Sequence, residues 1–288
     1  MNGFLFVNKP LGYTSRDIVN IVGKILGTRK IGHTGTLDPN ASGLMILAIG
    51  NALKLCELLN NHNKEYIAEV ILGIETDTLD TDTNSTILRE ENVDISDNKI
   101  YGAVNSFKGK YMQEVPKYSA VKVNGKKLYE YARGNIPVEL PKKEVVINDI
   151  SVVGDINHKN GKISFTIKAN VGSGTYIRSL VRDIGKKLNV PSVLNSLVRN
   201  SVDIYSINDS YTLNDIQNDN FKLVSITGMF SNIPCIKVDN NKAFKVKNGV
   251  ILDRFFDSDM AFIFDCENNL LSLYKNMDNK SRPYKMFV

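Results

Sequence analysis

The feature that most restricts the fold is a strict alternation at 163–171. Ile163, Phe165, Ile167, Ala169 and Val171 are apolar, and Ser164, Thr166, Lys168 and Asn170 between them are polar. A period of two puts every apolar side chain on one face of an extended segment, which predicts a strand buried on one side. Gly172-Ser173-Gly174 then turns the chain. Beyond it Ile177, Leu180, Val181, Ile184 and Leu188 recur at helical spacing, with Arg178 and Arg182 four apart and off that stripe. A strand, a glycine turn and an amphipathic helix together commit the chain to packing helices on a sheet.

The remaining segments extend this picture. An apolar run at 4–7 ends in the turn residues Lys9-Pro10-Leu11-Gly12. Ile18, Ile21, Val22, Ile25 and Leu26 then form one helical face, opened by the capping-box pair Thr14 and Asp17 and closed by Gly27. Residues 44–49 and 66–72 read as strands, and 52–59 as a short helix. Segment 75–86 reads as an acidic, Thr-rich loop. Asn124-Gly125 between Val121-Lys122-Val123 and Lys126-Lys127-Leu128 is the strongest hairpin signal. Residues 208–222 are rich in Asn and Asp and aperiodic, and 228–234 reads as a linker. Short segments at 245–247, 261–264 and 270–274 suggest a small all-β appendage. Strands dominate without βαβ alternation, so the expected class is α+β: a mixed, mainly antiparallel sheet with flanking helices, plus a small C-terminal β domain. The expected division is 1–230 and 231–288.

Composition excludes several functions. Apolar residues make up 42% and charged residues 23% of 288, which is ordinary globular usage. The net charge of +5 is compatible with a polyanionic partner without demanding one. The apolar run at 44–49 falls far short of the ~18 residues of a membrane helix. No basic leader precedes a long apolar stretch at the N-terminus, so no secretory signal is expected. Cys56, Cys235 and Cys266 lie far apart with no CxxC, which points to free thiols in a reducing compartment and a cytoplasmic location. His33, His62 and His158 form no HExxH, so no metal site is expected. There is no phosphate-binding P-loop and no nucleophile elbow, and the GxGxxG begun by Gly172 and Gly174 is broken at Ile177. Asp77, Asp80 and Asp82 resemble a calcium loop loosely, without its glycine and with Leu88 at the closing position.

The loop at 29–43 is where chemistry is most expected. Gly32, Gly35 and Gly43 permit close backbone approach or positive φ, and His33, Thr34, Thr36 and Ser42 supply hydrogen-bonding groups. Asp38 precedes Pro39, which pushes it toward an extended conformation. A lone carboxylate on such a loop is a candidate nucleophile or base, or else a cap of the next element.

Here the residues resemble a known family. Gly32-His33-Thr34-Gly35-Thr36-Leu37-Asp38-Pro39-Asn40-Ala41-Ser42-Gly43 is similar to the signature of the TruB family of bacterial tRNA pseudouridine-55 synthases. Lys9-Pro10-Leu11-Gly12 with Thr14-Ser15 resembles the family's opening, Lys64-Glu65-Tyr66 its aromatic motif, and Thr76-Asp77-Thr78-Leu79-Asp80 its acidic motif. Tyr118-Ser119-Ala120-Val121-Lys122, Gly125-Lys126 and Tyr129-Glu130-Tyr131-Ala132-Arg133 resemble its RNA-contacting insertion, placed at about 110–142. Gly174-Thr175-Tyr176-Ile177-Arg178-Ser179-Leu180 resembles its arginine motif. The matches follow family order over roughly residues 4–202. Lys247-Asn248-Gly249 is similar to part of the PUA-like domain that ends many members.

The resemblance implies a pseudouridine synthase fold and a reaction without cofactor. A uridine in the T loop of tRNA loses its N-glycosidic bond, the uracil turns, and C5 bonds to C1′. Asp38 matches the catalytic aspartate, by attack at C1′ or deprotonation at C2′. Arg178 matches its arginine partner, which favours the ionised carboxylate and holds it through a bidentate fork. Tyr66 matches the tyrosine that stacks on the base and takes the C5 proton. Tyr176 and Leu197 match pocket walls, and Asp80 a position that holds a neighbouring flipped nucleotide or the site's network. His33 matches a histidine that fills the stack vacated by the flipped base. Lys122, Lys126, Lys127 and Arg133 are candidate phosphate contacts.

Two departures stand out. Asn40 and Ser42 replace the usual apolar residue and Thr. After Leu197, where two basic residues are usual, stand Val198 and Arg199, which implies one substrate contact fewer. The expected partner is the T arm of tRNA, acted on by a monomer with no obligatory protein partner and no membrane. The other readings are a non-catalytic RNA-binding protein on the same fold, and a synthase guided by separate RNA and protein partners.

Overall fold

In the computed structural model, which describes residues 1–59, 62–82 and 85–288, nine strands join in one mixed sheet. The chain enters with β1 (Gly3–Lys9), α1 (Ser15–Ile25), β2 (Ile31–His33) and β3 (Ala41–Ile49). After α2 (Cys56–Leu59) comes β4 (Lys64–Leu72), then a ribbon of β5 (Ile74–Thr76) and β6 (Ile87–Glu90). Next are α3 (Asp97–Asn105), β7 (Gly109–Glu114), a hairpin of β8 (Lys122–Val123) and β9 (Lys126–Lys127), and α4 (Leu128–Arg133). Then follow β10 (Lys142–Lys159), β11 (Lys162–Val171), α5 (Ile177–Leu188), β12 (Ser192–Val202) and β13 (Tyr205–Ser206). Two short helices, α6 (Leu213–Gln217) and α7 (Ile226–Met229), lead to β14 (Cys235–Lys237) and α8 (Asn240–Lys247). The last strands are β15 (Leu252–Asp253), β16 (Met260–Phe264), β17 (Leu270–Met277) and β18 (Lys280–Met286).

The central path runs β1-β3-β12-β4-β11-β10-β7, with β12 and β3 parallel and the other neighbours antiparallel. A separate five-stranded sheet holds β14 to β18. This is the expected α+β class. The alternation at 163–171 works as anticipated: its apolar residues are buried and join Leu180, Val181 and Ile184 of α5 in one cluster. Residues 44–49 are apolar throughout because β3 is buried on both faces. Leu44, Ile46 and Ala48 join one cluster with the C-terminal sheet, while Met45, Leu47 and Ile49 pack with α1. Helix α1 has the expected capping box between Thr14 and Asp17. Asn124 and Gly125 both take positive φ, +49° and +83°, as a tight hairpin turn requires.

Other segments differ from expectation. Segment 29–43 is partly regular, because β2 and the start of β3 pair with neighbours inside the sheet. Segment 52–59 begins as a 3₁₀ turn before α2. The acidic loop opens on β5, and its Thr83 and Asn84 lie outside the described residues. Residues 245–247 end a helix, since Asp239 caps the segment and Ala243 and Val246 are buried three apart. The stretch read as a linker is packed: Phe230 is buried and meets Phe4 edge-on at 5.9 Å and Phe262 at 6.3 Å. No helix among the described residues is long and apolar enough to cross a membrane.

Candidate active site

Four adjacent strands converge on one cavity. Asp38 stands three residues before β3, Leu197 lies on β12, Tyr66 on β4, and Tyr176 and Arg178 follow the turn after β11. The register explains the meeting: Leu197 sits opposite Ala41 on one side and Ala68 on the other, and Tyr66 sits between Arg199 and Ala169. The cavity measures about 520 Å³, in the size range of small-ligand sites. Asp38, Tyr66, Asp80, Tyr176, Arg178, Leu197 and Arg133 all line it.

Arg178 and Asp38 form an ion pair, Nη2 to Oδ2 at 2.9 Å. The expected two-pronged fork is not what is seen. Nη2 also donates to the Tyr118 carbonyl at 3.1 Å, and Nη1 donates to the Thr78 carbonyl at 3.2 Å. Arg178 therefore joins the aspartate loop, the acidic turn and the insertion at one point. It is nearly buried, with a side chain 9% exposed, whereas Asp38 is 41% exposed and faces the cavity. Residues 175–178 form the N-terminal entry of α5, whose unpaired N–H groups favour negative charge nearby.

The Asp38 loop is braced from behind by residues that sequence reasoning left without a role. Lys9 is fully buried and donates to the carbonyls of Ala41 at 2.6 Å, Pro10 at 3.1 Å and Pro39 at 3.4 Å. Burial pulls its ammonium down to about 8, against the opposing charge of Asp38. Ser15 exchanges two hydrogen bonds with the Leu37 backbone. Arg199 is 2% exposed and donates to the carbonyls of Leu44 at 2.7 Å, Thr36 at 3.3 Å and Gly35 at 3.3 Å. It does not line the cavity; it serves the loop's backbone instead. Gly43 is required here, because a Cβ would lie 2.4 Å from the Arg199 carbonyl oxygen. The bracing consumes backbone acceptors along the loop and leaves the Asp38 side chain to the cavity.

Tyr176 is held through its backbone. Buried Gln113 on β7 accepts from its N–H at 2.8 Å and donates to its carbonyl at 3.1 Å. Burial raises the Tyr176 phenol above its usual range. The turn carrying Asp80 is tight: Leu79 has φ +62°, and Thr76 bonds both the N–H and the carbonyl of Asp80. Leu79 thus stores strain between Thr78 and Asp80, which line the cavity.

Burial pushes the Asp80 carboxyl up to about 6, with Arg178 opposing and Asp38 and Asp82 reinforcing. The folded chain therefore holds a proton here that the unfolded chain releases near pH 4. Stability from this group is fullest below that pH and is lost as pH rises through about 6. Asp80→Asn is expected to raise the urea midpoint above the parent's at pH 7.5, with the gain vanishing near pH 4. A gain that instead grows on acidification would contradict this.

The insertion supplies one wall. Tyr129 lines the cavity between Lys127, whose Nζ is 5.4 Å from the ring centroid, and Arg133, whose guanidinium is 5.5 Å from it. Lys122 and Lys126 stand exposed on the hairpin, outside the cavity lining. His33 is also outside the lining: it lies on β2 opposite Leu47, with a buried Nδ1 that has no hydrogen-bond partner among the described residues.

Residues 23–177 match the family model described as TruB family pseudouridylate synthase (N terminal domain). The chain belongs to the TruB family. It is 38% identical over 259 residues to the tRNA pseudouridine synthase B of Bacillus subtilis (strain 168), covering 88% of this chain and 84% of that protein. It is 39% identical over 298 residues to the protein of the same name from Lactobacillus johnsonii (strain CNCM I-12250 / La1 / NCC 533), covering 100% of this chain and 99% of that one. Among solved structures, a Cbf5-Nop10-Gar1 complex contains a chain that superposes with a TM-score of 0.69 at 22% identity. The match covers 99% of this chain and 85% of that one, and at this identity it speaks for the fold. The relatives it matches over nearly its whole length carry the name tRNA pseudouridine synthase B, so the chain is a pseudouridine synthase of the TruB type.

Proposed function

We propose that the chain isomerises uridine to pseudouridine at position 55 in the T loop of tRNA. The observation that carries this reading is the Asp38–Arg178 pair, 2.9 Å apart in a cavity walled by Tyr66 and Leu197. In this reading residues 1–230 form the catalytic part, with the insertion at about 110–142, and 231–288 a PUA-like domain. The target nucleotide leaves its stack and enters the cavity. Asp38 attacks C1′ or removes the C2′ proton as the N-glycosidic bond breaks. The uracil turns and C5 bonds to C1′, either as the Asp38–C1′ bond breaks or as Asp38 returns the proton to C2′; the C5 proton leaves, and the former glycosidic nitrogen carries a proton in the product.

Arg178 keeps Asp38 ionised and aimed. Tyr66, nearly buried on a central strand, offers its ring face to the base and its phenol oxygen to the C5 proton. Tyr176 and Leu197 close the base in, and Asp80 holds the network around Arg178. His33 acts outside the cavity, in the stack the base has left. Lys122, Lys126, Lys127 and Arg133 meet phosphates from the insertion. The steps use only protein side chains, so the reading calls for no cofactor, and it places the protein in the cytoplasm as a monomer without an obligatory protein partner.

The test is tritium release from tRNA carrying [5-³H]uridine, together with a bare T-arm stem-loop. Release from both substrates with the purified chain alone is the expected result. Binding without release would favour a non-catalytic RNA-binding protein, and silence on the bare stem-loop would favour a guided enzyme.

A further inference from the structure

Helix α1 carries Arg16, Asn20 and Lys24 at four-residue intervals, an exposed stripe opposite the buried Ile18 and Val22. Across the following turn stands Arg29, also exposed, and the two sides enclose a groove of about 440 Å³. The concavity is built rather than incidental. Gly27 turns the chain at φ +62°, and the Thr28 N–H donates to the Gly23 carbonyl at 2.9 Å. At Gly23 a Cβ would meet the Thr28 carbonyl oxygen at 3.0 Å and the Ile31 side chain at 3.1 Å.

Among the described residues Arg16, Lys24 and Arg29 take part in no ion pair. The helix's own acid, Asp17, is engaged by the backbone and hydroxyl of Thr14. Three like charges around one hollow repel one another, and among the described residues no carboxylate pairs with them. Ile31 lines the groove from β2, the strand that also bears His33 with its unpartnered buried Nδ1. Eight residues of helix separate Arg16 from Lys24, about 12 Å along the axis, so the stripe presents charges over a length of nucleic-acid backbone rather than a single anion.

We propose that the groove between α1 and the 28–31 turn binds backbone phosphates of the substrate RNA, as a contact surface apart from the Asp38 cavity. This rests on the reading that the substrate is RNA, but it is tested by binding rather than by turnover. Filter binding of tRNA to the full chain is measured across a salt series. For R16Q/K24Q/R29Q the slope of log affinity against log salt is expected to fall in steepness by about 2, at about 0.7–0.9 per lost phosphate contact. Affinity at low salt is expected to drop tenfold or more, while the single-turnover rate at saturating RNA stays at the parent's value.

R16K/R29K keeps the charges and is expected to keep the slope. K99Q/K159Q/K280Q removes as many charges from α3, from the end of β10 and from the C-terminal sheet, and is also expected to leave the slope unchanged. A parental slope in the groove variant overturns the proposal, and so does an equal fall in the control, which would trace the effect to net charge. A parent chain that binds tRNA with the steep slope yet forms no pseudouridine would sink the functional reading and leave the groove standing.

Discussion

Asp38→Asn is expected to abolish pseudouridine formation while the variant still binds tRNA. The amide keeps the shape and one acceptor oxygen, so the brace formed by Lys9, Ser15 and Arg199, which holds loop backbone, is untouched. What disappears is the negative charge that meets Arg178. A positioned proton-transfer group contributes about 10²–10⁴-fold, and loss of a nucleophile has cost about 10⁶-fold in a well-studied hydrolase. The expected fall in single-turnover rate is therefore about 10²–10⁴-fold for the C2′-deprotonation route and about 10⁶-fold for attack at C1′, with tRNA affinity within a few-fold of the parent. Near-normal turnover by Asp38→Asn would remove Asp38 from the reaction.

Arg199→Met is expected to be the most damaging single change to stability among the residues around the site. The guanidinium is buried and serves three carbonyls from two segments of chain. Methionine fills part of the volume and satisfies none of them, and each bond to a charged donor is worth about 1.5–3 kcal/mol. Desolvation of the buried cation offsets part of that sum, which leaves a net loss of about 3–5 kcal/mol, at the upper end for point changes. The thermal midpoint is expected to fall by roughly 10 °C, taking about 2–4 °C per kcal/mol for a chain of this class. Turnover at a temperature where the variant is still folded is expected to fall as well, since Gly35 and Thr36 lead directly into Asp38. Arg199→Lys keeps the charge but reaches fewer carbonyls, and should recover part of the midpoint. A midpoint within 2 °C of the parent's for Arg199→Met would contradict the bracing role.

Local pattern carried much of the fold. The alternation at 163–171, the capped helix after Thr14 and the Asn124-Gly125 hairpin are each decided within a dozen residues, and each formed as read. Where a decision depended on distant partners, local reading gave way. β2 is a strand because β3 lies beside it, and 245–247 is helical because Asp239 caps it and the C-terminal sheet covers Val246. Phe230 sits among turn-prone neighbours, and only its long-range contacts with Phe4 and Phe262 take it into a core.

For the site, the resemblance of the motifs to the TruB family pointed to Asp38, Tyr66, Tyr176, Arg178 and Leu197, which the sheet brings to one cavity. The supporting residues were harder to see. Lys9 and Ser15 sat inside a quoted motif as turn and helix-start residues, with nothing local to tell a solvated lysine from a buried one. Arg199 shares the strand parity of Leu197, a clue that it faces the same neighbourhood, but its carbonyl partners lie about 160 residues away. Gln113 left no local signal, since its work is done on the backbone of Tyr176 across the fold.

The aromatic contacts among Phe4, Phe230 and Phe262 bear on how the molecule is made. During synthesis on the ribosome, Asp38, Tyr66, Arg178 and Leu197 all emerge before residue 260. The outer face of β1 and β3, with Phe4, Phe6 and Ile46, is nevertheless only partly covered, by Leu55, Leu59, Ile226 and Phe230, until β16, β17 and Phe287 arrive. A nascent chain thus holds every residue of the Asp38 cavity before this second cluster is sealed, and that interval is when it is most exposed to chaperones and to aggregation.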